Sequence, residues 1–347
     1  MVWAVSMQRY LYESTDERPA EYDRNSCAAR TITHDPIDTF LSRSGVMILD
    51  GALATELECR GADLKDALWS AKCLIDNPEL IRGVHLDYFH AGADVATAAT
   101  YQASFEGFAR RGIGRAEAAR LMRGAVSLAL GAREEFWSVE ANRNGRLRPL
   151  VAASIGPYGA MLADGSEYSG RYALDDAGLA DFHRPRLAVL AQAGADLLAC
   201  ETIPCLREAL VLARLLEEFP ETCAWMSFSC KDGTLNCAGE DMGACAAALR
   251  RYPQIVAVGV NCTAPQYITP LLRRMRETAG KPLVIYPNSG EHFDASLKQW
   301  SGAASLRLAD QAMHWQHEGA RLIGGCCRTA PSDIQAVRQC VRCELSV

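Results

Sequence analysis

Three cysteines at the ends of apolar runs are the residues best suited to chemistry in this chain. Cys262 closes the run Gly259-Val260-Asn261-Cys262, and an adjacent pair lies in Gly324-Gly325-Cys326-Cys327-Arg328. Three thiolates from two strand ends suit a zinc ion whose fourth coordination position stays open, the arrangement of a catalytic site. Neighbouring residues of a regular strand point to opposite faces. The two glycines ahead of the pair let the backbone leave strand geometry, so that both sulfurs can turn toward one metal. A substrate thiol entering the open position would be held ionised and nucleophilic.

Two other readings of these thiols deserve weight. Cys326 and Cys327 could form a vicinal disulfide in a redox or zinc-sensing protein, but that leaves Cys262 unexplained. A purely structural zinc needs a fourth protein ligand, for which Cys230 is the candidate. The remaining cysteines among the 14 read as reduced thiols buried as small apolar residues, because the chain is long and no secretory signal is expected. A cytoplasmic protein is the expectation. The net charge of −6 gives no reason to expect nucleic acid or an anionic membrane as partner. No apolar stretch approaches the roughly 20 residues that span a bilayer.

The elements that must position the thiols follow from hydrophobic periodicity. Eight short apolar runs, fit for burial on both faces, read as strands: 46–49, 94–98, 149–154, 196–200, 223–227, 255–260, 282–286 and 321–323. Amphipathic segments lie between them. One starts at Asn77-Pro78-Glu79, with Pro78 at the first helical position, and runs to Gly92. Others span about 175–193, 205–218, 240–251, 266–279, 304–318 and 332–342. No GxGxxG motif opens the first helix, so the alternation predicts a (β/α)8 TIM barrel over residues 36–347 and not a dinucleotide-binding fold. Residues 1–35 are rich in charge, lack periodic apolar content, and read as a flexible N-terminal extension.

In a barrel the strand ends converge on one mouth, where such folds build their sites. Asp50 follows the first run, Thr100 and Tyr101 the second, Glu201 the fourth, Cys262 the sixth, and Cys326 with Cys327 the eighth. The fold and the metal site therefore support each other.

Asp50-Gly51-Ala52, the Cys262 block and the Cys326-Cys327 block together resemble the signatures of the homocysteine S-methyltransferase family. Glu201-Thr202-Ile203-Pro204, Ser227-Phe228-Ser229-Cys230 and Tyr286-Pro287-Asn288-Ser289-Gly290-Glu291 fit in order, and the similarity runs from about Met47 to the end. The stretches Leu53-Ala54-Thr55-Glu56-Leu57 and Leu68-Trp69-Ser70-Ala71 are most similar to the short enzymes that use S-methylmethionine or S-adenosylmethionine. Betaine-using relatives carry a longer C-terminal arm, and cobalamin-dependent ones carry added modules.

The resemblance implies zinc on Cys262, Cys326 and Cys327, with methyl transfer from a sulfonium to homocysteine to form methionine. It also implies that Asp50 and Glu201 hold the homocysteine amino group. Two carboxylates at strand ends can bind an ammonium by charge-assisted hydrogen bonds. An aromatic face at Trp69, Tyr101 or Tyr286 would attract a sulfonium by a cation–π contact of about 0.5–2 kcal/mol. Asn288, Ser289 and Glu291 read as a substrate-facing loop. Asn261 and Arg328 flank the ligands and are expected to support them, with Arg328 offsetting thiolate charge.

Overall fold

The structure is a computed structural model that describes residues 35–62, 70–294, 299–302 and 307–343. The proposed N-terminal extension lies outside these residues except for Asp35, whose side chain accepts a hydrogen bond from Ile37 N at 2.9 Å and so caps the helix Pro36–Ser44. Trp69 also lies outside them.

Eight parallel strands form the barrel: β1 (Met47–Ile48), β2 (Val95–Ala98), β3 (Leu150–Ile155), β4 (Leu197–Ile203), β5 (Ala224–Phe228), β6 (Ile255–Asn261), β7 (Leu283–Tyr286) and β10 (Ala320–Ile323). Each pairs with its sequence neighbour among the eight, and β10 pairs with β1 through Met47–Leu322 and Ile48–Ile323. A parallel bridge between Leu49 and Val95 completes the ring. All eight apolar runs thus became the strands expected of them. Between β7 and β10 a short antiparallel hairpin, β8 (His292–Asp294) with β9 (Gln299–Ser301), is an element that periodicity did not indicate.

Alternation along each strand sorts the apolar side chains into two layers. Met47 and Leu49, Leu197 and Ala199, and Trp225 belong to an interior cluster drawn from all eight strands. Ile48, Leu198, Cys200 and Met226 face outward and pack with the helices. Ile37 and Phe40 join the interior cluster, so the short helix Pro36–Ser44 packs against the barrel interior.

The helices Pro78–Ala91, Asp176–Ala191, Leu206–Leu216, Met242–Leu249, Ile268–Met275, Leu308–His317 and Pro331–Cys343 match the expected segments. The Asn77 side chain makes no capping bond, so Pro78 with its fixed φ is the start signal that operates there. The 24-residue helix Arg115–Ser138 escaped the pattern because much of its buried face is alanine: Ala118, Ala125, Ala129 and Ala132. Among the described residues, no helix is long and apolar enough to cross a membrane.

One glycine shows how tightly the barrel closes behind the site. A Cβ on Gly259 of β6 would fall 1.8 Å from Val284 O on the neighbouring strand. That oxygen is backbone and a Cβ is fixed to its own Cα, so neither can swing aside. Gly259→Ala should therefore cost about 3 kcal/mol or more of unfolding free energy, measured by denaturant titration. A loss under 1 kcal/mol would show that β6 and β7 can separate.

Candidate active site

Cys262 follows the last residue of β6, and Cys326 and Cys327 lie three and four residues past the end of β10. The Sγ atoms of Cys262 and Cys327 are 3.8 Å apart, those of Cys326 and Cys327 are 3.9 Å apart, and all three lie within 4.8 Å of one another. Four ligands arranged tetrahedrally at the zinc–sulfur distance of about 2.3 Å would stand roughly 3.8 Å apart. The thiols therefore already have the spacing of a metal's ligand shell. Among the described residues no fourth ligand joins them, and Cys230 is not part of the cluster. A metal held by these three thiols would keep one coordination position for a substrate.

The backbone is held in place to aim these sulfurs. Cys262 takes a left-handed φ of 47°, uncommon for a residue with a Cβ, and its N–H donates to Tyr286 O. Cys326 N donates to Pro287 O at 2.8 Å, Ser289 N donates to Cys327 O, and Thr329 Oγ1 donates to Cys326 O at 2.6 Å. The backbone leaves strand geometry at the glycine pair as expected, since β10 ends at Ile323, but through close approach and not a left-handed turn. Neither glycine is left-handed; a Cβ on Gly324 would lie 2.5 Å from Leu49 Cβ, and one on Gly325 2.4 Å from Thr329 Oγ1. The pair permits close approach, and Arg328, at φ 66°, makes the left-handed turn.

Hydrogen bonds from Cys326 and Cys327, against the opposing effect of burial, hold the Cys262 thiol well below its ordinary pKa. The Tyr168 hydroxyl, 3.3 Å from Cys262 Sγ, adds to this. Cys326 and Cys327 are pushed up in turn.

Two carboxylates share the mouth. Asp50 is only 6% exposed; Oδ2 accepts from Thr97 N at 2.7 Å and Oδ1 from Thr97 Oγ1 at 3.0 Å. Glu201, 8% exposed, accepts from the hydroxyls of Ser154 and Tyr286. Burial pushes both up to about 7, and for Asp50 the charge of Glu201 adds to the rise. No cationic side chain among the described residues pairs with either. Burying a carboxylate without a cation is costly. A ligand bearing a positive charge would remove that cost.

A family model described as homocysteine S-methyltransferase matches residues 47–341. The chain belongs to the homocysteine S-methyltransferase family. It is 54% identical over 304 residues to homocysteine S-methyltransferase YbgG of Bacillus subtilis (strain 168), covering 87% of this chain and 96% of that one. Homocysteine S-methyltransferase 4 of Zea mays is 49% identical over 310 residues, covering 86% and 90%. The crystal structure of the homocysteine methyltransferase MmuM from Escherichia coli, in its metallated form, superposes with a TM-score of 0.80 at 47% identity, covering 88% of this chain and 99% of that one. The protein is thus a homocysteine S-methyltransferase built on a TIM barrel, as its sequence blocks implied.

The remaining residues of this methyltransferase fall into place around that core. β4 runs two residues beyond Glu201, which the sequence had placed after the strand, and its register is irregular between Cys200 and Ile203. Thr202 causes the irregularity with a left-handed φ of 58°. Asn261 holds it there: Oδ1 accepts from Thr202 N at 2.7 Å and Nδ2 donates to Thr202 Oγ1 at 2.8 Å. Asn261 therefore supports the carboxylate strand through Thr202 and touches Ser227, not the thiols.

Arg328 likewise differs from expectation. Its Nε donates to Glu291 Oε2 at 2.7 Å, so its charge is matched within the loop and not by the thiolates. Ser289 Oγ donates to the same Glu291 oxygen, and Asn288 Oδ1 accepts from Gly290 N. The loop after β7 is thus a self-bonded collar whose backbone binds Cys326 and Cys327. Tyr101 is half-buried at the end of β2, with its hydroxyl bonded to Thr202. The Tyr286 hydroxyl receives Trp225 Nε1 at 2.9 Å and lies 2.6 Å from Ser227 Oγ.

Sequence reading missed Thr97, Ser154, Glu167 and Tyr168. Thr97 and Ser154 carried a usable signal, each being a polar residue near the end of an otherwise apolar run. Glu167 and Tyr168 sit in a one-turn helix of the connection after β3, too short for any period to mark them.

Proposed function

We propose that this enzyme transfers a methyl group from S-methylmethionine to the thiol of homocysteine, with zinc held by Cys262, Cys326 and Cys327. S-adenosylmethionine is the second donor to consider. The observation that carries the reading is the three-thiol cluster at metal-ligand spacing beside two buried carboxylates that lack a cation. A zinc ion on three cysteinates would supply Lewis acidity that keeps the homocysteine sulfur ionised at neutral pH.

Asp50 and Glu201 bind the homocysteine α-ammonium, which fixes the amino acid with its side chain directed at the thiols. Thr97, Ser154 and Tyr286 orient the two carboxylates. A lone pair on the homocysteine sulfur then attacks the methyl carbon of the sulfonium. The old carbon–sulfur bond breaks, and its electron pair returns to the donor sulfur. S-Methylmethionine thereby yields two methionines per turnover, and S-adenosylmethionine yields one. A thiolate and a sulfonium become two neutral thioethers, so no general acid is needed.

The test is methionine formation by reduced, zinc-loaded protein given homocysteine with S-methylmethionine, S-adenosylmethionine or betaine in parallel. Fastest turnover with S-methylmethionine is expected. Faster turnover with S-adenosylmethionine would reverse the donor assignment, and turnover with betaine alone would overturn the sulfonium reading.

A further inference from the structure

Methyl transfer between two amino acids brings two α-ammonium groups to one barrel mouth. Asp50 and Glu201 feel each other's charge and form one site. A third acid, Glu167, stands apart from them. It lies in the one-turn helix Ser166–Tyr168 after β3, where the next residue, Tyr168, reaches to 3.3 Å from Cys262 Sγ. Ser229 Oγ, after β5, approaches Glu167 O at 3.5 Å, so the loop is drawn across the strand ends toward the thiols.

The Glu167 side chain is only partly satisfied by the protein: backbone N–H groups of Glu167 and Gly165 bond the carboxylate. Its Oε2 is shielded from solvent and accepts no hydrogen bond from any described residue. Its charge acts on Cys262 and on Tyr101. No cationic side chain among the described residues offsets it, and burial pushes it up to about 7. A shielded carboxylate oxygen with nothing to accept from is costly, and a cation delivered by a ligand would compensate it.

The donor carries two cations, and the chemistry selects between them. The sulfonium loses its charge as the methyl leaves. A carboxylate against it would stabilise the ground state more than the transition state and slow the reaction. The α-ammonium keeps its charge throughout, so pairing with it gives affinity without that penalty. We propose that Glu167 binds the α-ammonium of the sulfonium donor and so selects donors that are amino acids. This rests on the reading of the enzyme as a sulfonium-dependent methyltransferase.

Glu167→Gln tests it, assayed with S-methylmethionine and with a simple alkyl dimethylsulfonium that lacks an amino group. The expected result is a KM for S-methylmethionine raised about 10-fold or more, since a hydrogen bond to a charged group is worth ~1.5–3 kcal/mol. The KM for homocysteine and the turnover of the simple sulfonium should stay unchanged. Glu167→Asp, which keeps the charge, should recover part of the loss. An unchanged donor KM, or an equal loss with both sulfoniums, would overturn the assignment. Calorimetric titration of S-methylmethionine into wild type and Glu167→Gln reads the same contact without turnover. Wild-type protein that binds S-methylmethionine through Glu167 yet forms no methionine would refute the proposed function and leave this contact standing.

Discussion

Cys326→Ala is expected to lose the bound metal and at least about 1000-fold in kcat/KM, while the barrel stays folded. Part of that loss is ionisation. A free thiol of pKa ~8.5 is only about 3% thiolate at pH 7, so an unassisted homocysteine sulfur forfeits roughly 30-fold. The rest is placement, because the sulfur no longer has a fixed position facing the donor methyl. The fold should survive because the backbone bonds at this position, Cys326 N to Pro287 O and Thr329 Oγ1 to Cys326 O, do not involve the thiol. Residual activity in the variant should climb with pH toward 9 as free homocysteine ionises. Metal content by elemental analysis, the pH–rate profile and the melting temperature together check this. Full activity at pH 7 with the metal lost would remove the thiol cluster from the mechanism.

The barrel was legible because a strand buried on both faces must be largely apolar, and all eight runs are so, with polar residues such as Thr97, Ser154 and Arg321 few among them. The helix Arg115–Ser138 was not, because alanines give almost no hydrophobic period although they permit close packing against Pro78–Ala91. The thiols and carboxylates were legible because polar groups just past apolar strands converge in this architecture. What those groups touch was not. Asn261 adjoins Cys262 in the chain, yet its side chain points to Thr202 on the next-but-one strand. Arg328 adjoins Cys327, yet it bonds Glu291. Adjacency in sequence gives a backbone position, while the partner depends on strand register and loop path. The same limit hid Tyr168, which reaches Cys262 from the connection after β3, and its neighbour Glu167, about 95 residues before Cys262 in the chain.

Glu201→Gln should weaken homocysteine binding and, in the metal-free protein, strengthen the fold. The two effects have one origin. Glu201 and Asp50 are buried without a cation, and each is pushed up to about 7 from an ordinary value near 4. Between those values the folded state binds more protons than the unfolded chain, so their contribution to stability is greatest below about pH 4 and is lost as pH rises to about 7. The penalty above pH 7 is on the order of a few kcal/mol for each carboxylate. Glutamine removes the Glu201 share, so the variant's melting temperature at pH 8 should exceed that of wild type, and the gap should close at pH 4–5. The homocysteine KM should move the opposite way, rising about 10–100-fold with the loss of a charge-assisted hydrogen bond of ~1.5–3 kcal/mol. Metal content should not change, because Glu201 is not in the thiol cluster. Opposite signs for stability and affinity are what a ligand-compensated carboxylate requires. A variant with unchanged homocysteine KM, or with the same melting temperature as wild type at both pH values, would mean that the protein itself already satisfies Glu201.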